Sequence, residues 1–211
     1  RPDPPLGRGA GPARGPRAGR SSLAHPLGPA GDRQDLAGHA PRRARQGGLH
    51  PLLLAAGEIA KERKDFELVI MGRGRKERYS DVIEDLGIGS QVNFLGQTST
   101  PDEVYRNAHV CAHPTFYDAC SLTTMEAMAS GLPTITTRWN GASALIDPEE
   151  GYVIDDPSNT AALAAAIMSL FDQAKRNRMA ENARRKIEGY TMTRNVDQME
   201  NIIREVCDSR S

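Results

Sequence analysis

The chain has 211 residues, with 27 basic and 27 acidic side chains for a formal net charge of zero, and 38 % hydrophobic residues. That length suits one or two domains, and the apolar share is lean for them. No run approaches the ~20 apolar residues of a membrane span, no apolar signal region opens the sequence, and three scattered cysteines (Cys111, Cys120, Cys207) fit a reduced compartment without a disulfide framework or zinc site. The aromatic residues are few and not interleaved with basic ones, which argues against a single-stranded nucleic-acid platform.

The charge is unevenly placed. Residues 1–46 hold 9 Arg, no Lys and 3 Asp, a net of +6, which leaves −6 for the remainder. The same segment holds 8 of the 14 Pro and 8 of the 20 Gly, and offers only four scattered Leu for burial. Such a stretch cannot offset its own ordering entropy. Three readings stand: a disordered arginine-rich tail, a basic tail on nucleic acid or acidic lipid, or out-of-frame translation of a GC-rich gene.

From residue 47 the texture changes. Leu52, Ala55, Ala56, Ile59 and Arg63 form a helical stripe. Phe66–Met71 predicts a strand ending in Gly72-Arg73-Gly74. Tyr79, Val82, Ile83 and Leu86 predict a helix stopped by Gly87. Val92–Gly96 is the next strand, and Thr100-Pro101-Asp102-Glu103 opens a helix with a capping box and Pro at its first position. His109–Ala112 is a strand, Leu122–Ala129 a helix closed by Gly131, and Pro133–Thr137 and Gly151–Ile154 are further strands. Asp156-Pro157-Ser158 starts a helix with Leu163, Ile167, Leu170 and Phe171 on one face, and helices over about 174–188 and 194–207 follow. Alternating strands and helices predict a doubly wound, Rossmann-like α/β domain with a mostly parallel sheet. Its ligands belong at the carboxyl ends of the strands, after Met71, Leu95, Ala112 and Thr137.

One loop there carries a chemical pattern. His113-Pro114-Thr115-Phe116-Tyr117-Asp118-Ala119-Cys120 leaves a strand and enters a helix near Ser121. A helix N-terminus presents free amides and partial positive charge to an anion. Asp118 stands just outside it, and Glu126 lies one turn beyond Leu122 on the same face. Two carboxylates so placed flank a phosphate seat and suit hydroxyls on either side of a diphosphate. A nucleotide sugar has that layout. An ordinary loop carboxylate beside an exposed helix glutamate would share the spacing. Gly72-x-Gly74-x-x-Glu77 lacks the third small residue of a dinucleotide fingerprint, so a nicotinamide enzyme is not indicated. Cys120 has no base beside it to make a nucleophile. Cys111 and Cys207 read as buried small hydrophobes, and His113 as a loop-stabilising residue.

The acidic-x7-Glu spacing of Asp118 and Glu126, followed by Ala127-Met128-Ala129-Ser130-Gly131-Leu132-Pro133-Thr134-Ile135-Thr136-Thr137, resembles the signature of retaining glycosyltransferases of GT-B fold, group 1, family 4. The preceding His113-Pro114 is similar to the branch of lipopolysaccharide core glucosyltransferases. Phe66–Gly74, Gln91–Gly96 and Gly151–Pro157 resemble further family stretches in the right order. The resemblance covers residues 47–211, the family's carboxy-terminal donor-binding half. It implies that Asp118, where the family usually has Glu, meets hydroxyls of the donor sugar, and that Glu126 accepts from the ribose. It implies that the backbone amides of Cys120, Ser121 and Leu122 hold the diphosphate, that Phe94 and Gly96 lie near the base, and that Gly72 and Arg73 border the same cleft, with Arg73 or Arg75 reaching phosphate. No cofactor is implied beyond the nucleotide-sugar donor, of UDP-glucose type. The absence of Asp-x-Asp suggests no metal, so helix amides and cations would meet the leaving charge.

The implied partners are the nucleotide sugar and a cell-envelope glycan or glycolipid acceptor, with no nucleic acid. The implied place is the cytoplasm, at the inner face of the membrane through an amino-terminal, acceptor-binding domain. That domain is expected to be missing from this chain. The first and central strand is expected to be missing or degraded as well, because Arg43-Ala44-Arg45-Gln46-Gly47-Gly48 stands where the family places its Arg and Lys. A frame shift at Gln46 would restore Lys-Gly. The expectation is an unstable chain with little turnover, and the alternative to an enzyme is an inactive nucleotide-sugar-binding fragment.

Overall fold

The computed structural model describes residues 34–40, by their backbone, and residues 48–209. The readings of a tail over residues 1–33 and of the basic segment over 41–47 lie outside the described residues. Six parallel strands form one sheet: β1 (Gln34–Ala40), β2 (Phe66–Gly72), β3 (Val92–Gly96), β4 (Val110–His113), β5 (Thr134–Thr137) and β6 (Gly151–Ile154), in the order β3-β2-β1-β4-β5-β6. The α-helices are α1 (Leu49–Glu62), α2 (Ser80–Asp85), α3 (Pro101–Asn107), α4 (Leu122–Ala129), α5 (Thr160–Ser169), α6 (Gln173–Ile187) and α7 (Met192–Asp208). This is the doubly wound, Rossmann-like sheet that the alternation predicts.

A strand without apolar patterning, β1, occupies the central place where the first strand is expected to be missing or degraded. Gln34–Ala40 pairs with Phe66–Gly72 on one side, and Leu36–Gly38 pairs with Val110–Ala112 on the other. The reason is backbone chemistry. The facing edges of β2 and β4 carry rows of N–H and C=O groups, and a proline-free stretch such as Gln34–Ala40 running between them in parallel can satisfy both rows. Apolar patterning, on which the sequence reading depends, is not what pairs a backbone.

Alternation along the strands divides the core. Phe66, Leu68 and Ile70 of β2, Val110 and Ala112 of β4 and Ile135 of β5 join the main core with α1, α2 and α5. Met71 and Cys111 point to the opposite face, where they pack with Tyr105, Ala127 and Leu132 of the α3–α4 side. Met128 and Ile146 extend that layer onto Ala183 and Ile187 of α6. Both faces are covered, which is why β2, β4 and β5 read as nearly continuous apolar or small runs.

Local chemistry places most helix ends as predicted. Gly87 (φ +61°) and Gly131 (φ +76°) take left-handed conformations after α2 and α4. Behind them, the amides of Ile88 and Leu132 bond back to Ile83 and Ala127 oxygens at 3.2 and 3.0 Å. Two helix starts differ. Pro101 does open α3, but Thr100 makes no side-chain cap; its hydroxyl donates instead to Glu103 Oε2 at 3.4 Å. Asp156 Oδ1 accepts from the Ser158 amide at 2.8 Å in a turn, so α5 begins later, where Asn159 Oδ1 caps the Ala162 amide at 3.0 Å. Among the described residues no helix is long and apolar enough to cross a membrane.

Candidate functional site

The strand order reverses between β1 and β4, and in such sheets the crevice at the carboxyl ends beside that point takes the ligand. The N-terminus of α1 reaches the same place. A Cβ on Gly48 would lie 1.6 Å from the carbonyl oxygen of Pro114, so only glycine lets α1 start against the loop after β4. On the β2–β3 side, Gly72 (φ +110°) and Gly96 (φ +73°) end their strands in conformations that favour glycine. The parallel sheet therefore aligns Gly96, Gly72, Arg73 and the loop carrying Asp118 along one edge. Arg73 and Arg75 are exposed there.

The loop after β4 is held by the segment after β5. The Asp118 amide donates to the Trp139 oxygen at 3.0 Å, and the Gly141 amide returns to the Asp118 oxygen at 2.8 Å. Between them lies Asn140, fully buried. Its Oδ1 accepts from the amides of Ser121 (3.2 Å) and Ala142 (3.0 Å). Its Nδ2 donates to Thr124 Oγ1 and Thr136 Oγ1, both at 2.9 Å. One side chain thus ties the start of α4 to β5 and to the 3₁₀ turn Gly141–Leu145. Gly141 is obligatory in this arrangement, since a Cβ would approach the Ala119 oxygen to 1.9 Å. The sequence reading misses both residues. Its one available signal is the Asn-Gly dipeptide after a strand, which marks a turn but not a buried network.

Ser121 caps α4, accepting from the Thr124 amide at 3.2 Å. Its own amide is taken by Asn140, and the Cys120 amide donates to Asp118 Oδ1 at 3.1 Å. This corrects the expected trio of anion-binding amides. Cys120 and Ser121 shape the turn, whereas the amides of Leu122 and Thr123 precede the first intrahelical bond, Met125 to Ser121, and are, among the described residues, the open donors of this helix end. Leu122 itself is 67 % exposed.

Asp118 lies in the loop before that end, and Glu126 on the second turn of α4. Asp118 Oδ2 lies 3.6 Å from Nε2 of buried His113. Glu126 is exposed on α4, and its Oε2 accepts from the hydroxyl of Tyr105 at 3.3 Å. Burial first, then the neighbouring Cys111 and the charge of Glu126, push the ionisation of Tyr105 strongly up, so it stays a hydrogen-bond donor. Burial, with Glu126 behind it, pushes the Cys111 thiol up to about 12. Cys111 is the buried hydrophobe expected; Cys207 is not, because it lies on α7, which buries none of its residues among those described. Phe94 also differs from expectation. Its ring stacks on Tyr79 with centroids 6.4 Å apart and packs on the main core, so the backbone around Phe94–Gly96, on the edge strand, is the part left to face a ligand.

A doubly wound parallel sheet with a carboxylate-flanked helix end at its switch point defines a Rossmann-like ligand-binding domain of the kind that makes up half of a GT-B fold. The profile for "Glycosyl transferases group 1" matches residues 29–186, and the chain belongs to that family. It is 33 % identical over 153 residues to the D-inositol 3-phosphate glycosyltransferase of Corynebacterium kroppenstedtii, covering 67 % of this chain and 34 % of that protein. It is 31 % identical over 137 residues to the poly(glycerol-phosphate) alpha-glucosyltransferase of Bacillus subtilis, covering 63 % and 20 %. The lipopolysaccharide glucosyltransferase WaaG of Escherichia coli is 29 % identical over 56 % of this chain and 32 % of its own length. A crystal structure of WaaG superposes with a TM-score of 0.67 at 25 % identity, over 74 % of this chain and 43 % of that one. The chain spans about a third or less of the length of these curated relatives.

Proposed function

We propose that this chain binds the donor in a retaining, metal-independent hexosyltransferase that moves glucose or a similar hexose from a UDP-sugar to a cell-envelope glycan. The observation that supports the reading is an acidic residue, Asp118, in the loop before α4 at the switch point of the sheet and a second, Glu126, on the second turn of that helix. A diphosphate seated on the open amides of Leu122 and Thr123 gains charge-assisted hydrogen bonds and the favourable end of the helix dipole. Those amides do their work as the sugar leaves, because the diphosphate gains charge in the transition state. Carboxylates directly beneath the phosphates would repel them. Set to either side, Asp118 accepts from hexose hydroxyls and Glu126 from the ribose. Asp118 is one methylene shorter than the usual family glutamate, so its sugar sits closer to the loop. The named activities of the three relatives, two of them glucosyltransferases, support the hexose; the acceptor reading rests on the similarity to WaaG.

Calorimetry with UDP and UDP-glucose tests the proposal. The wild-type chain is expected to bind both, and Glu126→Ala to weaken both by at least tenfold. Absence of binding by the folded wild-type chain overturns the reading. Binding without transfer to any glycan acceptor assigns the chain to the binding step alone.

A further inference from the structure

Tyr105 is 3 % exposed and packs with Met71, Cys111, Ala127 and Leu132 between the sheet and α4. Filling that apolar pocket requires a ring but no hydroxyl. The hydroxyl nevertheless donates to Glu126 Oε2 at 3.3 Å, across 21 positions of sequence. Glu126 is exposed, and among the described residues this phenol is its side-chain hydrogen-bond partner.

We propose that Tyr105 is a positioning residue for ribose recognition: it holds Oε2 of Glu126 so that Oε1 is presented to the ribose hydroxyls of the donor nucleotide. The proposal rests on the donor role given to Glu126 above. An exposed glutamate samples several rotamers and loses that freedom when a ligand fixes it. A phenol anchored in a packed core selects one rotamer beforehand, as outer hydrogen bonds do for ligating groups elsewhere. A carboxylate oxygen has lone pairs to spare, so the phenol does not compete with the diol. The raised ionisation of Tyr105 keeps the phenol a donor through neutral and mildly alkaline pH. α3 thereby acquires a role in the site, although no residue of α3 stands beside Asp118 or Glu126 in sequence.

The test compares UDP with 2′,3′-dideoxyuridine 5′-diphosphate by calorimetry on the wild-type chain, Tyr105→Phe, Glu126→Ala and the double variant. Tyr105→Phe keeps the ring and is expected to keep the melting temperature. It should weaken UDP binding about three- to tenfold, the span of one net hydrogen bond, and leave the dideoxy compound unchanged. In the Glu126→Ala background it should add nothing for UDP. Equal weakening of both nucleotides by Tyr105→Phe indicates a packing role and overturns the proposal. So does unchanged UDP affinity in Tyr105→Phe when Glu126→Ala weakens it. A wild-type chain that binds both nucleotides equally, or a Glu126→Ala variant without effect, overturns the ribose role of Glu126 itself and this proposal with it.

Discussion

At the scale of single residues, the site depends on buried polar groups as much as on the exposed carboxylates. Asn140 is the clearest case, because its four hydrogen bonds reach α4, β5 and the following 3₁₀ turn. Asn140→Leu strands the Ser121 and Ala142 amides and takes a donor from the Thr124 hydroxyl in a dry interior, while the Thr136 hydroxyl keeps its bond to the His113 oxygen. It should cost about 2–4 kcal/mol of stability by urea unfolding. It should also abolish UDP binding under conditions where the variant is still folded. His109 makes a pH prediction. Burial, and then the positive charge of Arg176, hold its imidazolium below the usual 6.5. The folded state therefore binds the proton less readily than the unfolded chain. Stability is full above about pH 6.5 and falls as the pH drops through the lower folded value. His109→Gln should flatten that fall in urea midpoints taken from pH 7.5 to 5. Asp118 and Glu126 were legible in the sequence because their spacing and the helix start are local. Asn140 and Tyr105 were not, since their partners lie 16 or more positions away for Ser121, Thr124 and Glu126.

At the scale of elements, the helix borders follow the residues that cap and stop them. Ser121→Ala removes the α4 cap and should cost about 1 kcal/mol, with a fall in UDP affinity as the first turn loosens. α7 behaves differently. Met192, Val196, Met199, Ile202, Ile203 and Val206 are between 46 % and 77 % exposed on this helix. Isolated helices of this length are marginal in water, so α7 amides should exchange hydrogen much faster than those of α1. Replacing Met199 and Ile203 by Glu should leave the urea midpoint of the chain unchanged, whereas Leu52→Ala, fully buried in α1, should cost about 2–5 kcal/mol. The periodicity predicts that α7 is amphipathic. It does not say that the apolar face goes uncovered.

For the molecule as a whole, everything turns on the central strand. β1 is hydrogen-bonded on both sides and links the β2–β3 half of the sheet to the β4–β6 half. Gly38→Pro removes a donor from the middle of that strand, where a sheet does not tolerate it. Loss of cooperative thermal unfolding, followed by circular dichroism, is the expected outcome. An unchanged transition would mean that residues 34–40 do not bridge the two halves. The uneven charge also takes on meaning at this scale, since the balance of zero combines an arginine-rich first segment with an acidic remainder that carries the site.

The sequence by itself determined the alternation of strands and helices, the glycines that end them, and the two carboxylates around the α4 start. Each of these is written in neighbouring residues, through periodicity, φ preference and helix geometry. Only the tertiary structure decided that Gln34–Ala40 fills the centre of the sheet, that Asn140 occupies the Cys120–Ser121 turn, and that Tyr105 holds Glu126. Backbone pairing does not depend on side-chain pattern, and buried hydrogen bonds join residues that only the fold brings together.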